Sequence, residues 1–333
     1  MLFSRLFAAA TFLAFVLAAG STLRLANAVR VSPRSSAELI ATGLEAERDG
    51  NMVLAERCLL EAEKLDRQFL PAWTSANFFF RRGNDLQFWR AAVQAAAMSY
   101  DDPAPLIELA DHQERNAIVA LERLGGTARL ERGYLHFLIG AGRWEDAQAV
   151  AARLASRGHS QDRELLLALV DRLIAANQGD KALAAWNRLE PKGRDGLVNG
   201  NFQRQPSGQG FDWRIAAPPG VWTHWEPARL QFALTLSTPE ACRLLEQWVM
   251  LTPGRYKLRF GYRSEGLAEE TGLHWTLLSA TSPALVLGDR TAEWNFGVAK
   301  AGLHQLQLIY ARVPGTTHKE GQVELTSVGL EML

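Results

Sequence analysis

The stretch Leu197-Val198-Asn199-Gly200-Asn201-Phe202, followed by Gly210-Phe211-Asp212-Trp213, divides the sequence into two unlike halves. Upstream of it, apolar residues recur at helical spacing. Downstream, they alternate with polar ones, the pattern of half-buried strands. Leu230, Phe232, Leu234 and Leu236 alternate with Gln231, Ala233 and Thr235. Tyr256, Leu258, Phe260 and Tyr262 alternate with Lys257, Arg259, Gly261 and Arg263, and Leu306, Leu308 and Tyr310 with Gln305, Gln307 and Ile309. Pro218-Pro219-Gly220, Thr252-Pro253-Gly254, Ala301-Gly302 and Pro314-Gly315 punctuate these runs. About nine short antiparallel strands over 197–333 predict a β-sandwich, with Leu197 to Phe202 as its first strand.

The chain of 333 residues has room for two domains, each able to bury a core. Its composition, 47% hydrophobic and 22% charged, is globular. Lys+Arg and Asp+Glu balance at 36 each, so the positive field that nucleic-acid binding needs is missing. Cys58 and Cys242 stand in different halves and read as two inert thiols.

Leu6 to Leu23 is almost wholly apolar, and Ala26-Asn27-Ala28 supplies the small-x-small pattern of a signal peptidase site. The run is also near the length of a membrane-spanning helix. Residues 1–28 therefore read as a signal peptide or a membrane anchor. Arg24, Arg30 and Arg34 follow the apolar run and weigh against an anchor with its domains outside the cell. Either way the chain is expected outside the cytoplasm, in the periplasm or tethered to the inner membrane and facing it.

Residues 35–190 carry a repeating pattern of small residues. Gly43, Ala46, Gly50, Ala55 and Ala62 are followed by Asp66 and by Pro71-Ala72-Trp73. One repeat length further on stand Trp73, Phe80, Asn84 beside Gly83, and Ala96, with Trp89 in place of the small Ala55. Gly142 to Ala147 and Asn177 to Ala182 begin two weaker copies. This spacing resembles tetratricopeptide repeats. The resemblance implies an α-solenoid of helix pairs; a generic helical bundle is the plainer alternative. It also implies a concave groove for a protein partner, formed by Leu44, Glu47, Arg48, Phe78, Arg81, Arg82, Arg129, Arg132 and His136. The other reading of those arginines is a solvated face.

Pro191 to Gly196 forms a breaker-rich linker (191–196). Beyond it, Leu-Val-Asn-Gly-Asn-Phe, Gly-Phe-Asp-Trp, the run Leu251 to Phe260 and the closing Val323 to Leu330 resemble carbohydrate-binding-module jelly rolls of the galactose-binding-like type. The resemblance covers most of 197–333. It implies a jelly-roll sandwich and, through it, a polysaccharide partner. Those modules often carry acidic residues where this chain has Asn201 and Ser327, so no metal is expected. Parity assigns Trp275 and Trp294 to the core, and the resemblance buries Trp213. Trp222 and Trp225, flanking His224 beside a turn, are the candidates for a sugar-stacking face. His274 and Arg263, opposite in parity to their apolar neighbours, are its candidate polar members.

No catalytic constellation stands out. Glu269-Glu270 are adjacent in a loop, Asp101-Asp102 precede Pro103, and the seven histidines are scattered. The sequence thus predicts a multidomain α and β protein, a tetratricopeptide-like α-solenoid followed by an antiparallel jelly roll, with no cofactor. Its expected role is a non-enzymatic exported scaffold of the cell envelope, accessory to surface polysaccharide assembly or export. A glycan-binding or glycan-processing protein acting through the sandwich is the alternative.

Overall fold

The computed structural model describes residues 35–98, 102–190, 197–317 and 319–333. Residues 1–28, read above as a signal peptide or membrane anchor, and 191–196, read as a linker, lie outside the described residues. The chain divides into two compact units, one ending at Ala141 and the other running Gly142–Leu333.

The first unit contains α1 (Ser36–Arg48), α2 (Met52–Leu65), α3 (Phe69–Arg81), α4 (Asp85–Met98), α5 (Ala104–Gln113), α6 (Ala117–Arg123) and α7 (Ala128–Ala141). Local sequence sets the boundaries. Ser35 and Glu38 cap α1 reciprocally, each side chain accepting the other's backbone N–H at 3.2 Å. Asn51 caps α2 by accepting the Leu54 N–H at 3.1 Å. Gly50 and Gly83 make the turns after α1 and α3 with φ of 82° and 63°. The pairs α1–α2 and α3–α4 pack as hairpins. Small residues permit this approach: a Cβ on Gly43 would stand 3.1 Å from the Leu59 side chain, and Ala55 and Ala62 are fully buried.

The second unit opens with α8 (Trp144–Ser156), α9 (Arg163–Ala175) and α10 (Gly179–Leu189). Ten strands follow: β1 (Arg214–Ile215), β2 (Val221–Glu226), β3 (Arg229–Leu234), β4 (Ala241–Leu251), β5 (Gly254–Glu265), β6 (Leu273–Leu277), β7 (Ala280–Thr281), β8 (Gly288–Val298), β9 (Gly302–Ala311) and β10 (Gly321–Met332). They form two five-stranded antiparallel sheets, in the orders β1-β4-β9-β6-β7 and β2-β3-β10-β5-β8. From β3 onward the chain crosses between sheets at every connection except the β6–β7 hairpin, giving a jelly-roll sandwich. One core joins the inward faces. At its centre Trp275 packs against Trp213 and Phe260, with ring centroids 6.0 and 5.9 Å apart. Cys58 and Cys242 are both free thiols.

Two sequence expectations change. Leu197 to Asn201 is a turn, not a strand. Leu197 and Phe202 are buried in the core, while Asn199 and Phe202 adopt φ of 53° and 52°, which breaks any ladder. Gly200 is pressed onto β10: it accepts the Val328 N–H at 2.7 Å, and a Cβ there would lie 2.1 Å from the Val328 carbonyl oxygen. Second, residues 142–190, read with the helical half, share their compact unit with the sandwich. The Gly210 N–H and the Arg214 guanidinium both donate to Asp171 on α9, at 2.8 and 2.6 Å. Trp186 on α10 sits over Phe211 and Gly210. Glu190, buried at the end of α10, accepts from Arg204 at 2.8 Å and pairs with Arg163.

Replacing Gly200 by Ala forces the turn off β10 and is expected to cost about 3 kcal/mol, read as a lower midpoint in urea unfolding. Burial alone would raise the Glu190 carboxyl, but hydrogen bonds from Arg204 and Arg163 outweigh it and hold it below the ordinary carboxylate range. A carboxyl lowered on folding stabilises the fold above its unfolded value and loses that contribution as pH falls through the folded one. Glu190→Gln is therefore expected to lower Tm at neutral pH, with the gap from the parent protein closing below about pH 4 in a pH series of thermal melts.

Candidate functional site

The outer face of the first sheet carries a connected polar network. On β4, Leu245, Gln247, Val249 and Leu251 point to the core, and Glu246, Trp248 and Met250 point outward. A β-bulge between Arg243 and Leu245 sends Leu244 and Leu245 both to the core and leaves Arg243 on the outer face with Glu246. The register then builds a patch of three rows. Arg214, Glu246, Gln307, Thr276 and Thr281 form the middle row across all five strands. Trp248 and Gln305 form the row on one side, and Arg243, Ile309 and His274 the row on the other.

Glu246 is the hub of this patch. Although on an outer face it is only 8% exposed, because its neighbours close over it. Its carboxylate accepts from Arg243 at 2.6 Å, from the Gln305 amide at 2.6 Å and from the Gln307 amide at 3.4 Å. The Gln307 amide also donates to the Gln305 carbonyl oxygen at 2.8 Å. The Gln307 carbonyl oxygen has no partner among the described residues, and Trp248, Gln305, Gln307, Thr276 and His274 remain half-exposed. The network fixes the amides in orientation while leaving hydrogen-bonding atoms open to solvent.

The helices of the same unit bound this patch. Beyond Trp248, Met250 and Leu303 pack under the start of α10, where a Cβ on Gly179 would stand 2.5 Å from the Met250 sulfur. At the β1 side, Arg214 is held by Asp171 of α9 and by the Gly210 carbonyl at 2.8 Å.

The sequence candidates for a sugar face do not assemble into one. Only His274 lies on the first sheet, its Nδ1 3.3 Å from the Gly272 carbonyl. Trp222 is 74% exposed on the outer face of the second sheet. Trp225, of opposite parity on the same strand, turns toward the core and donates its Nε1–H to the Phe202 carbonyl at 2.9 Å. Arg263 shares Trp222's face but lies three strands away, roughly 14 Å, and pairs with Glu265 at 2.8 Å. Alternation within a strand was legible in the sequence; which sheet each strand joins was not. Trp248, Gln305 and Gln307 could have been found as the outward parity of their strands. So could Glu246, two residues before Trp248; Arg243 could not, since the bulge between Arg243 and Leu245 shifts its phase relative to them.

The helical candidates are similarly dispersed. Phe78 is 2% exposed and belongs to the core, so it forms no groove wall. Arg81 is held by Glu47 through hydrogen bonds of 2.9 and 2.7 Å, Arg82 and His136 are exposed, and Arg129 and Arg132 are half-buried. A cleft of about 600 Å³ does open between α3, α5 and α7, lined by Trp73, Asn77, Phe80, Glu108, His112 and Phe137 among others. None of the candidate groove residues lines it. On α3 the cleft is faced by Phe80, two residues and half a helical turn from Phe78.

Among the described residues, no group of three His, Cys, Asp or Glu side chains is placed to hold a metal ion, and no helix is long and apolar enough to cross a membrane. No protein-family model and no curated protein matches the chain. Among solved structures, the chain is similar to the carbohydrate-binding module TmCBM61 in complex with β-1,4-galactotriose, at 16% identity and a TM-score of 0.30, over 42% of this chain and 100% of that one. It is also similar to a CBM4 carbohydrate-binding module, at 11% identity and a TM-score of 0.28, over 41% of this chain and 99% of that one.

Glu246→Ala leaves a guanidinium and two amides without their shared acceptor and is expected to cost about 1–3 kcal/mol. Glu246→Gln, which keeps one acceptor oxygen, is expected to cost less. Chemical denaturation followed by tryptophan fluorescence measures both.

Proposed function

We propose that the chain is a non-enzymatic glycan-binding protein that holds a neutral oligosaccharide on the outer face of the first sheet. One observation carries this reading: Glu246, Gln305 and Gln307 form an ordered acceptor and donor array beside the half-buried Trp248, which faces outward on the same sheet. Oriented amides offer adjacent hydroxyls a donor and an acceptor at fixed spacing. An indole beside them offers a flat apolar surface to the C–H face of a sugar ring. The carboxylate charge is already matched by Arg243, so the patch favours a neutral ligand. The middle row holds one carboxylate, whereas hydrolysis of a glycosidic bond ordinarily uses two across a cleft.

The helical unit supplies the scaffold part of the proposal. Its tetratricopeptide-like pairs present the aromatic cleft of Trp73, Phe80 and Phe137 to a protein partner. The apolar run Leu6 to Leu23 and the Ala26-Asn27-Ala28 site support an exported chain, and a glycan face joined to a scaffold suits accessory work on surface polysaccharide.

A glycan array probed with the full chain, followed by titration calorimetry on the strongest hit, tests the reading. Trp248→Ala and Gln307→Ala are each expected to weaken binding about tenfold or more, with Tm little changed. Arg82→Ala is expected to bind like the parent protein. Absence of binding to every neutral glycan, or a hit indifferent to both sheet substitutions, would overturn the assignment.

A further inference from the structure

β2 is one edge of the second sheet. Its central residues Trp222, Thr223 and His224 are all exposed, although Thr223 has core-facing parity. The β2–β3 hairpin fixes which backbone groups this edge leaves free. Opposed residues in an antiparallel ladder alternate between exchanging both hydrogen bonds and exchanging none. Thr235 N–H donates to the Gly220 carbonyl at 2.9 Å, and Pro227-Ala228 form a two-residue turn between the paired Glu226 and Arg229. Both facts set the same phase. Trp222, His224 and Glu226 turn their backbone groups toward β3; Val221, Thr223 and Trp225 turn theirs away. The Val221 N–H is taken by the Pro218 carbonyl at 3.2 Å. The N–H and C=O of Thr223 have no partner among the described residues.

Exposed strand edges are normally blunted by charge, proline or brevity. β8, the other edge of this sheet, displays Asp289, Arg290 and Glu293 at exposed positions. The edges of the first sheet, β1 and β7, are two residues each. β2 runs for six residues with no Lys, Arg or Pro and one carboxylate, Glu226 at its end.

We propose that β2 pairs antiparallel with β2 of a second copy of this chain, about a two-fold axis at Thr223, joining two second sheets into one. A two-fold contact must be self-complementary, and this register is. The two Thr223 residues exchange both backbone hydrogen bonds, and the Trp225 N–H of each copy reaches the free Val221 carbonyl of the other. Trp222 of each copy lies opposite His224 of the other on the outer face, ring against ring. On the core-facing side, Val221 meets Trp225. Glu226 falls opposite Gly220, so no like charges oppose. The exposed indole, the phase of the free backbone groups and the missing edge protection all point to the same occupant.

Sedimentation of the full chain over a concentration series to about 100 µM tests this, with dimer formation expected. Thr223→Pro removes an N–H that the β2–β3 ladder does not use, so the fold should persist with unchanged Tm. It is expected to weaken dimerisation by about tenfold or more. Trp222→Ala, which leaves the backbone untouched, is expected to weaken it as well. A chain that stays monomeric at the highest concentration overturns the proposal. So does a dimer unaffected by either substitution, or a monomer whose β2 edge is instead protected from hydrogen exchange by a different extended polypeptide.

Discussion

The β half depends on the close approach of Gly200 to β10. Val328 donates to the Gly200 carbonyl at 2.7 Å, and the space a Cβ would need is filled by the Val328 carbonyl. With the turn locked there, Asn199 takes a positive φ and its carbonyl accepts the Trp213 Nε1–H at 3.2 Å. Trp213 in turn packs against Trp275, the centre of the core between the sheets. The turn therefore couples β10, the entry loop 203–213 that leads into β1, and the core. A residue with any side chain at position 200 would disturb all of them at once.

The same entry loop ties the sandwich to α9 and α10. Asp171 holds the Gly210 N–H and Arg214, and Glu190 holds Arg204. These bonds have a consequence for the polar face. Arg214 stands in the middle row with Glu246, and Gly179 at the start of α10 packs on Met250 at the end of the patch. The helices thus act as walls for the outer face of the first sheet, which would otherwise be a flat polar surface. A buried carboxylate on such a face is stable because three donors converge on it, and that convergence also orients the amides.

Much of this architecture was legible. Period-two alternation located β3, β5 and β9 and placed Trp275 and Trp294 in the core, and turn residues marked several of the connections. Small residues at Gly43, Ala55 and Ala62 announced close helix pairs. The site was far less legible. Alternation gives the side of a strand on which a residue lies, but not the sheet that the strand joins, so sequence alone does not separate His274 from Trp222 and Arg263, which belong to the opposite sheet. Trp225 turns to the core because its strand's parity, rather than its nearness to a turn, decides its direction. Phe78 is core rather than groove because a hydrophobic residue on a helix can serve either, and the neighbouring helices decide which.

The sequence by itself determined two classes of secondary structure and the change between them near residue 197. Those follow from local periodicity and turn chemistry, which a linear string carries. Tertiary structure decided what Leu197 to Phe202 is, which helices belong with the sandwich, and which polar residues share a face. Each depends on contacts between residues far apart in the chain: Gly200 with Val328, Asp171 with Arg214, Glu246 with Gln305 and Gln307. Local spacing is blind to such pairs, because the free energy that selects them comes from burial and hydrogen bonding across elements rather than within one.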